Sequence, residues 1–449
     1  MGSRLTWLSA SLGILPFPGP ARIHLSVPGR GVNLAGYRPS SGRSPLMLER
    51  RTLGVVAPKP HTVFTAPGRK NPCTEYVFTR DGFSSGFSIL YLYDAPTSIE
   101  LNEVFKIESH GGNLKRLVGE IMDESSQPLA RRHVQSWNAP AGENLLAGRT
   151  ALFMNNNCRV SVVRGKAGQC GPGVKDAWSF TNGDSDELYF FYAGSGTLLT
   201  QFGALPFKKN DYLLVPRGIP YILQMDGEIE ALVVEGDPFV EIPGDFRNPH
   251  GQLRMEAPYT HRDFRSPARL LTEAEAELFR HGVTLRNKSL THHRYSKSPA
   301  NVVGWDGSMY PMVFSILDYL PKTGKIHLPP NLHTTFRGKE FVVCSFVPRM
   351  VDYLEGAIPC PYPHANVHCD EIIYYVDGKF TSRKGISNRS LSYHPAGLSH
   401  GPQPGNYFGS VGTKTADELA VMVDTWGPIH MTKAALGYED AAYATSWEE

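Results

Sequence analysis

Three residues of this 449-residue chain, His364, Glu371 and His400, have the types and spacing to hold a divalent transition metal. Two imidazoles and a carboxylate suit such an ion, and three protein ligands leave coordination positions open for substrate and oxygen. Alone, each would read differently. A single strand histidine is usually a core or surface residue, and a glutamate opening a strand is usually solvated. Their joint spacing argues for a metal: H-x-N-x(4)-E-x(6)-G runs from His364 to Gly378, and P-x-G-x-x-H from Pro395 to His400. His368 and Cys369 lie between the ligands but outside that pattern, so neither is expected to coordinate.

An earlier stretch repeats the pattern without the histidines. Phe180, Glu187 and Gly194 parallel His364, Glu371 and Gly378, and Val215 to Tyr221 parallels His394 to His400. The offset is 184 residues between the glutamates (371 − 187) and 179 between Tyr221 and His400 (400 − 221), so one copy carries a longer hairpin. A duplicated β domain follows, with its chemistry in the C-terminal copy. Phenylalanine and a neutral phenol are poor metal ligands, so the N-terminal copy is expected to hold none.

The elements that must position these residues read as strands. Runs at 187–192, 212–216, 231–235, 341–347, 371–376 and 420–424 are rich in β-branched and aromatic residues and bounded by Gly, Pro, Asn or Asp. Thr272 and Glu275 have capping-box spacing and predict a helical connector to Arg280, with Gly282 placed to stop it. The expected fold is mainly β with a few helices. The expected division is an N-terminal extension over 1–48, a metal-free domain over 49–262 and a catalytic domain over 263–449.

Composition narrows the function. Lys plus Arg is 45 and Asp plus Glu is 43, a formal charge of +2, which gives no electrostatic reason to expect nucleic acid or an anionic membrane as partner. No apolar run approaches the roughly 18–20 residues of a membrane span. Six cysteines without a C-x-x-C pair fit a reduced compartment, with most thiols buried. Residues 1–48 hold five arginines and no acid, the look of an organelle transit peptide or of a disordered extension. The expected location is the cytoplasm, or an organelle if that stretch is a targeting segment.

The two spaced motifs resemble those of the cupins, β-barrel proteins whose ligands project inward from facing strands. The duplication then implies a bicupin, two barrels in one chain. Asn366 stands where the second cupin histidine would be, which leaves a facial triad of the non-haem iron type. Pro361 to Gly378 and Leu391 to Pro402 resemble, more specifically, the homogentisate 1,2-dioxygenase family, in its shorter bacterial-type branch. His61 to Phe64, Gly82 to Ser88, Gly304 to Pro311 and Phe341 to Arg349 extend the resemblance from about Arg51 to about Trp426.

That resemblance implies ring opening of homogentisate by O2 to maleylacetoacetate in tyrosine and phenylalanine breakdown, with Fe(II) held by His364, Glu371 and His400. It places His394 in the substrate pocket as a catalytic or substrate-binding residue and implies a homo-oligomer. Tyr375, four residues after Glu371 on the same strand face, could also reach substrate. Two departures stand out. Phe380 occupies the place of the tyrosine that holds the substrate carboxylate in the longer eukaryotic members. Trp305 to Gly307 offers no histidine where those members have an acid/base, leaving His327 or His333 to supply it. A gentisate-type bicupin, a non-catalytic bicupin and a zinc-dependent cupin remain alternatives.

Overall fold

Successive side chains of a strand point to opposite faces, and the strand Asp370–Gly378 uses both. Ile372, Tyr374 and Val376 enter a buried core with Leu188, Phe190, Tyr212, Val421 and Val423. Glu371, Ile373 and Tyr375 line a cavity on the other face. The strand Asp186–Ala193 behaves likewise in the first half. Leu188 and Phe190 join the same shared core, while Tyr189 and Phe191 fill a second core with Phe180, Leu213, Tyr221 and Val233. Each such side chain contributes about 1.5–3 kcal/mol on burial.

The structure is a computed structural model and describes residues 49–166, 178–324, 332–352, 354–359, 361–380, 383 and 385–448. The protein is mainly β, a bicupin with a few short helices. An eight-stranded sheet of the N-terminal half sets Asp186–Ala193 between Asp211–Val215 and Ile229–Gly236. A seven-stranded sheet of that half includes Ser179–Asn182 and Tyr221–Met225, and a four-stranded sheet joins Arg51–Gly54, Val302–Gly307, Phe87–Leu92 and Thr74–Thr79. In the C-terminal half a seven-stranded sheet sets Glu418–Thr425 between Phe341–Phe346 and Asp370–Gly378, with Ser390–His394 beyond. The expected strands are all present, each within about two residues of its predicted ends.

The sheets do not divide at residue 262/263. Phe264–Arg265, His281–Arg286, Ser289–Tyr295 and Met312–Ser315 all belong to the N-terminal sheets. The halves also exchange strands: Arg132–Gln135 pairs with Ser390–His394, and His430–Met431 pairs with Arg149–Met154. Backbone groups at open sheet edges need partners, and here each half supplies them to the other. The capping box forms as expected, with Thr272 accepting from the Glu275 amide, but the α-helix covers only Glu273–Glu277. Gly282 lies inside the following strand rather than at a helix stop. Among the described residues Cys73, Cys158, Cys344 and Cys369 are free thiols, and no helix is long and apolar enough to cross a membrane. The transit-like stretch 1–48 lies outside the described residues.

Candidate metal centre

Both halves place their motif glutamate by the same backbone devices. The motif glycines Gly194 and Gly378 have φ of 92° and 96°, the left-handed region that favours glycine. A Cβ there would sit 2.5 Å from the Glu228 carbonyl oxygen or 2.3 Å from that of Asp417. Before each glutamate stands a buried aspartate that ties the second motif to the first. Asp370 Oδ1 accepts from the Ala396 amide at 2.6 Å, and Oδ2 from that of Ile429 at 2.7 Å. Asp186 accepts in the same way from Arg217 and Val240, at 2.8 and 2.9 Å. Sequence reasoning passed over both aspartates. Their signal was the D-E dipeptide common to the two copies.

In the C-terminal half these devices bring His364, Glu371 and His400 together, with one ligand atom of each within 4.8 Å of the others. His364 and His400 exchange two backbone hydrogen bonds, both 2.8 Å, which hold the two imidazoles side by side. His364 Nδ1 donates to the Tyr362 carbonyl at 2.9 Å and His400 Nδ1 to that of Leu398 at 3.0 Å. A ring nitrogen facing a carbonyl carries the proton, so each Nε2 keeps its lone pair for a metal. His400 Nε2 is buried without a hydrogen-bond partner, and at 3.8 Å from Glu371 it is too far to make one. A buried acceptor left open among a second imidazole and a carboxylate fits a bound divalent ion.

Glu371 is the charged member. Burial opposes its ionisation, yet the hydrogen bond from His394 and the proximity of His400 hold its carboxyl well below the usual range. His394 is fully buried, and burial pushes its pKa down to about 3, so the ring is neutral. Its Nδ1 donates to Glu371 Oε1 at 2.7 Å, its Nε2 accepts from the Tyr443 hydroxyl at 3.3 Å, and it stacks on His400 at 4.7 Å. The structure therefore places His394 behind the Glu371 carboxylate, and the cavity wall is built from other residues.

That cavity encloses about 190 Å³ and is lined by His364, Glu371, Ile373, Tyr375, Phe380 and Met422, among others. Tyr375 is held by its hydroxyl against Ser392 at 3.0 Å and packs edge-on against Phe380. Asp424, paired across the strands with Glu371, also faces the cavity. Burial and the Glu371 charge raise its pKa well above the usual range. His333 is buried and stacks on Phe346, which lines the same cavity. His327 lies outside the described residues. Trp305 and Asp306 are elsewhere: Trp305 packs on Phe202 and Tyr310, and Asp306 pairs with Arg50.

The N-terminal half fills the matching place with protein. Glu187 pairs across the strands with Glu235, as Glu371 does with Asp424. Arg149, 1% exposed, donates to Glu187 at 2.5 Å and approaches Glu235 to 3.4 Å. Tyr221, standing for His400, donates to the other Glu187 oxygen at 2.7 Å. Burial opposes the Glu235 charge, but Arg149 and Arg159 bring its pKa down to about 2. A guanidinium thus occupies the carboxylates that could otherwise face a cation.

The family model described as homogentisate 1,2-dioxygenase N-terminal matches residues 169–316. A protein of Saccharolobus solfataricus, provisionally named a dioxygenase, is 34% identical over 398 residues, covering 88% of this chain and 97% of that one. Homogentisate 1,2-dioxygenase of Legionella pneumophila is 26% identical over 254 residues, 53% of this chain and 58% of the relative. The enzyme of that name from Emericella nidulans is 23% identical over 278 residues, 56% and 60% of the two chains. The chain thus spans under two thirds of these two relatives.

Proposed function

The chain belongs to the family of cupin dioxygenases related to homogentisate 1,2-dioxygenase, and on that premise we propose that it is an Fe(II)-dependent enzyme opening the ring of homogentisate with O2 to give maleylacetoacetate. The observation that carries the proposal is the triad itself: two imidazoles and one ionised carboxylate converge within 4.8 Å, and two of the three, His364 and Glu371, line a cavity. Held by two neutral imidazoles and one carboxylate, Fe(II) would keep a net positive charge that favours a phenolate and would supply electrons to O2.

The protein's own residues do the rest. Ile373, Phe380 and Met422 offer apolar walls to an aromatic ring and exclude water. His394 holds the Glu371 carboxylate in one orientation through its Nδ1–H. Neutral and backed by Tyr443, it is a positioning residue in this reading, while Tyr375 stands on the wall where a substrate would touch it. The full-length chain, loaded anaerobically with Fe(II), should turn homogentisate and O2 into maleylacetoacetate, read by product absorbance. Faster turnover of gentisate would move the substrate assignment within the ring-cleaving class. Failure of both, from a folded and iron-loaded sample, would sink the dioxygenase reading.

A further inference from the structure

The cavity beside the metal ligands has a second polar end, and its chemistry is specific. Arg349 lines it, with a side chain only 6% exposed. Nη2 donates to Glu418 Oε1 at 2.8 Å and Nη1 to the Val347 carbonyl at 3.1 Å, while the guanidinium lies 5.4 Å from the centre of the Phe346 ring. The Nε–H is buried and has no hydrogen-bond partner. A buried donor left unmet costs about 1–3 kcal/mol, and guanidinium donors are ordinarily satisfied. Strand order gives the axis. The inward residues of Glu418–Thr425 run from Asp424 beside Glu371, through Met422 and Ala420, to Glu418 beside Arg349. His364 and Glu371 stand at one end, apolar wall lies between, and Arg349, edged by the hydroxyl residues Thr413 and Thr415, closes the other; a second arginine, Arg383, also lines the cavity.

We propose that Arg349 is the specificity-determining residue of this site and receives, through its unmet Nε–H, a carboxylate on the side chain of the aromatic substrate. The proposal rests on the ring-cleaving reading and names the part of the substrate that reading leaves without a partner. Guanidinium binds carboxylate through its N–H donors, and the Nε–H of Arg349 has no partner here. Glu418 orients Arg349 and partly offsets its charge, so the end discriminates by hydrogen bonding as well as by field. A neutral dihydroxylated ring would meet the same apolar wall and leave the donor unmet.

The test is anaerobic calorimetry on the full-length, Fe(II)-loaded chain, with homogentisate and its methyl ester as ligands. The native protein should bind the acid at least tenfold more tightly than the ester, a difference of about 1.4 kcal/mol or more. Arg349→Gln with Glu418→Gln removes both charges together and leaves no buried carboxylate unpaired. That double variant should lose the preference for the acid and keep the affinity for the ester. Should it fail to fold, Arg349→Lys, which keeps the charge without the fork, should weaken the acid several-fold and spare the ester. Equal binding of acid and ester by the native protein, or a preference that survives both variants, overturns the proposal. Oxygen uptake is read separately. A native protein that prefers the acid but draws no oxygen keeps the carboxylate site and loses the dioxygenase reading, and the opposite result does the reverse.

Discussion

At the scale of single residues, His394 shows how a ligand is held from behind. Its Nδ1–H fixes one Glu371 oxygen, and its ring lies flat on His400. Partners of this kind set the orientation and basicity of first ligands, and losing one typically costs 10–100-fold in metal affinity. His394→Ala should therefore weaken Fe(II) binding by about that factor while the fold survives, as measured by metal titration of refolded apoprotein. Unchanged affinity with lost turnover would instead return His394 to direct contact with substrate. That His364, Glu371 and His400 come together could be read because motif spacing survives in sequence. The position of His394 was not, because a strand face tells which way a side chain points but not which neighbour covers it. Arg149, a lone arginine 38 residues before Glu187, carried no signal either.

At the scale of elements, the buried aspartates do the joining. Asp370 accepts from two amides, one in the turn leading to His400 and one near Trp426, so the Glu371 strand and the His400 turn move as one piece. Asp370→Asn keeps the shape but turns one acceptor into a donor facing an amide N–H. It should destabilise the protein by about 1–3 kcal/mol and weaken iron binding, both read by thermal melts with and without Fe(II). A melt that shifts equally with and without the metal would mean that Asp370 supports the barrel and not the site. Strand positions were readable from alternation and bounding turns. The short helix was readable at its cap and misjudged at its end, because the chain leaves Glu277 through a 3-10 turn straight into a strand at His281.

For the whole molecule, the two halves of the duplication fill the matching place differently. One half is filled with aromatic and aliphatic side chains around an ion-pair network; the other keeps a cavity beside His364 and Glu371. Arg149→Met should cost roughly 3–5 kcal/mol, because Glu187 and Glu235 lose their buried cation. Glu187→Gln should leave iron near one per chain by elemental analysis. Loss of most of the iron in folded Glu187→Gln protein would mean that the N-terminal half holds metal after all. The duplication itself could be read from residue patterns. The true division of the sheets could not, since exchanges such as Arg132–Gln135 onto Ser390–His394 depend on pairing between distant segments.

The oxygen-electrode trace of the native chain beside its Glu371→Ala and Glu187→Gln variants tests the account most directly. All three are given Fe(II) and homogentisate under the same conditions. The native and Glu187→Gln proteins should consume one O2 per homogentisate, and Glu371→Ala none above background. Undiminished uptake by folded Glu371→Ala protein, or none by the iron-loaded native chain, would contradict it.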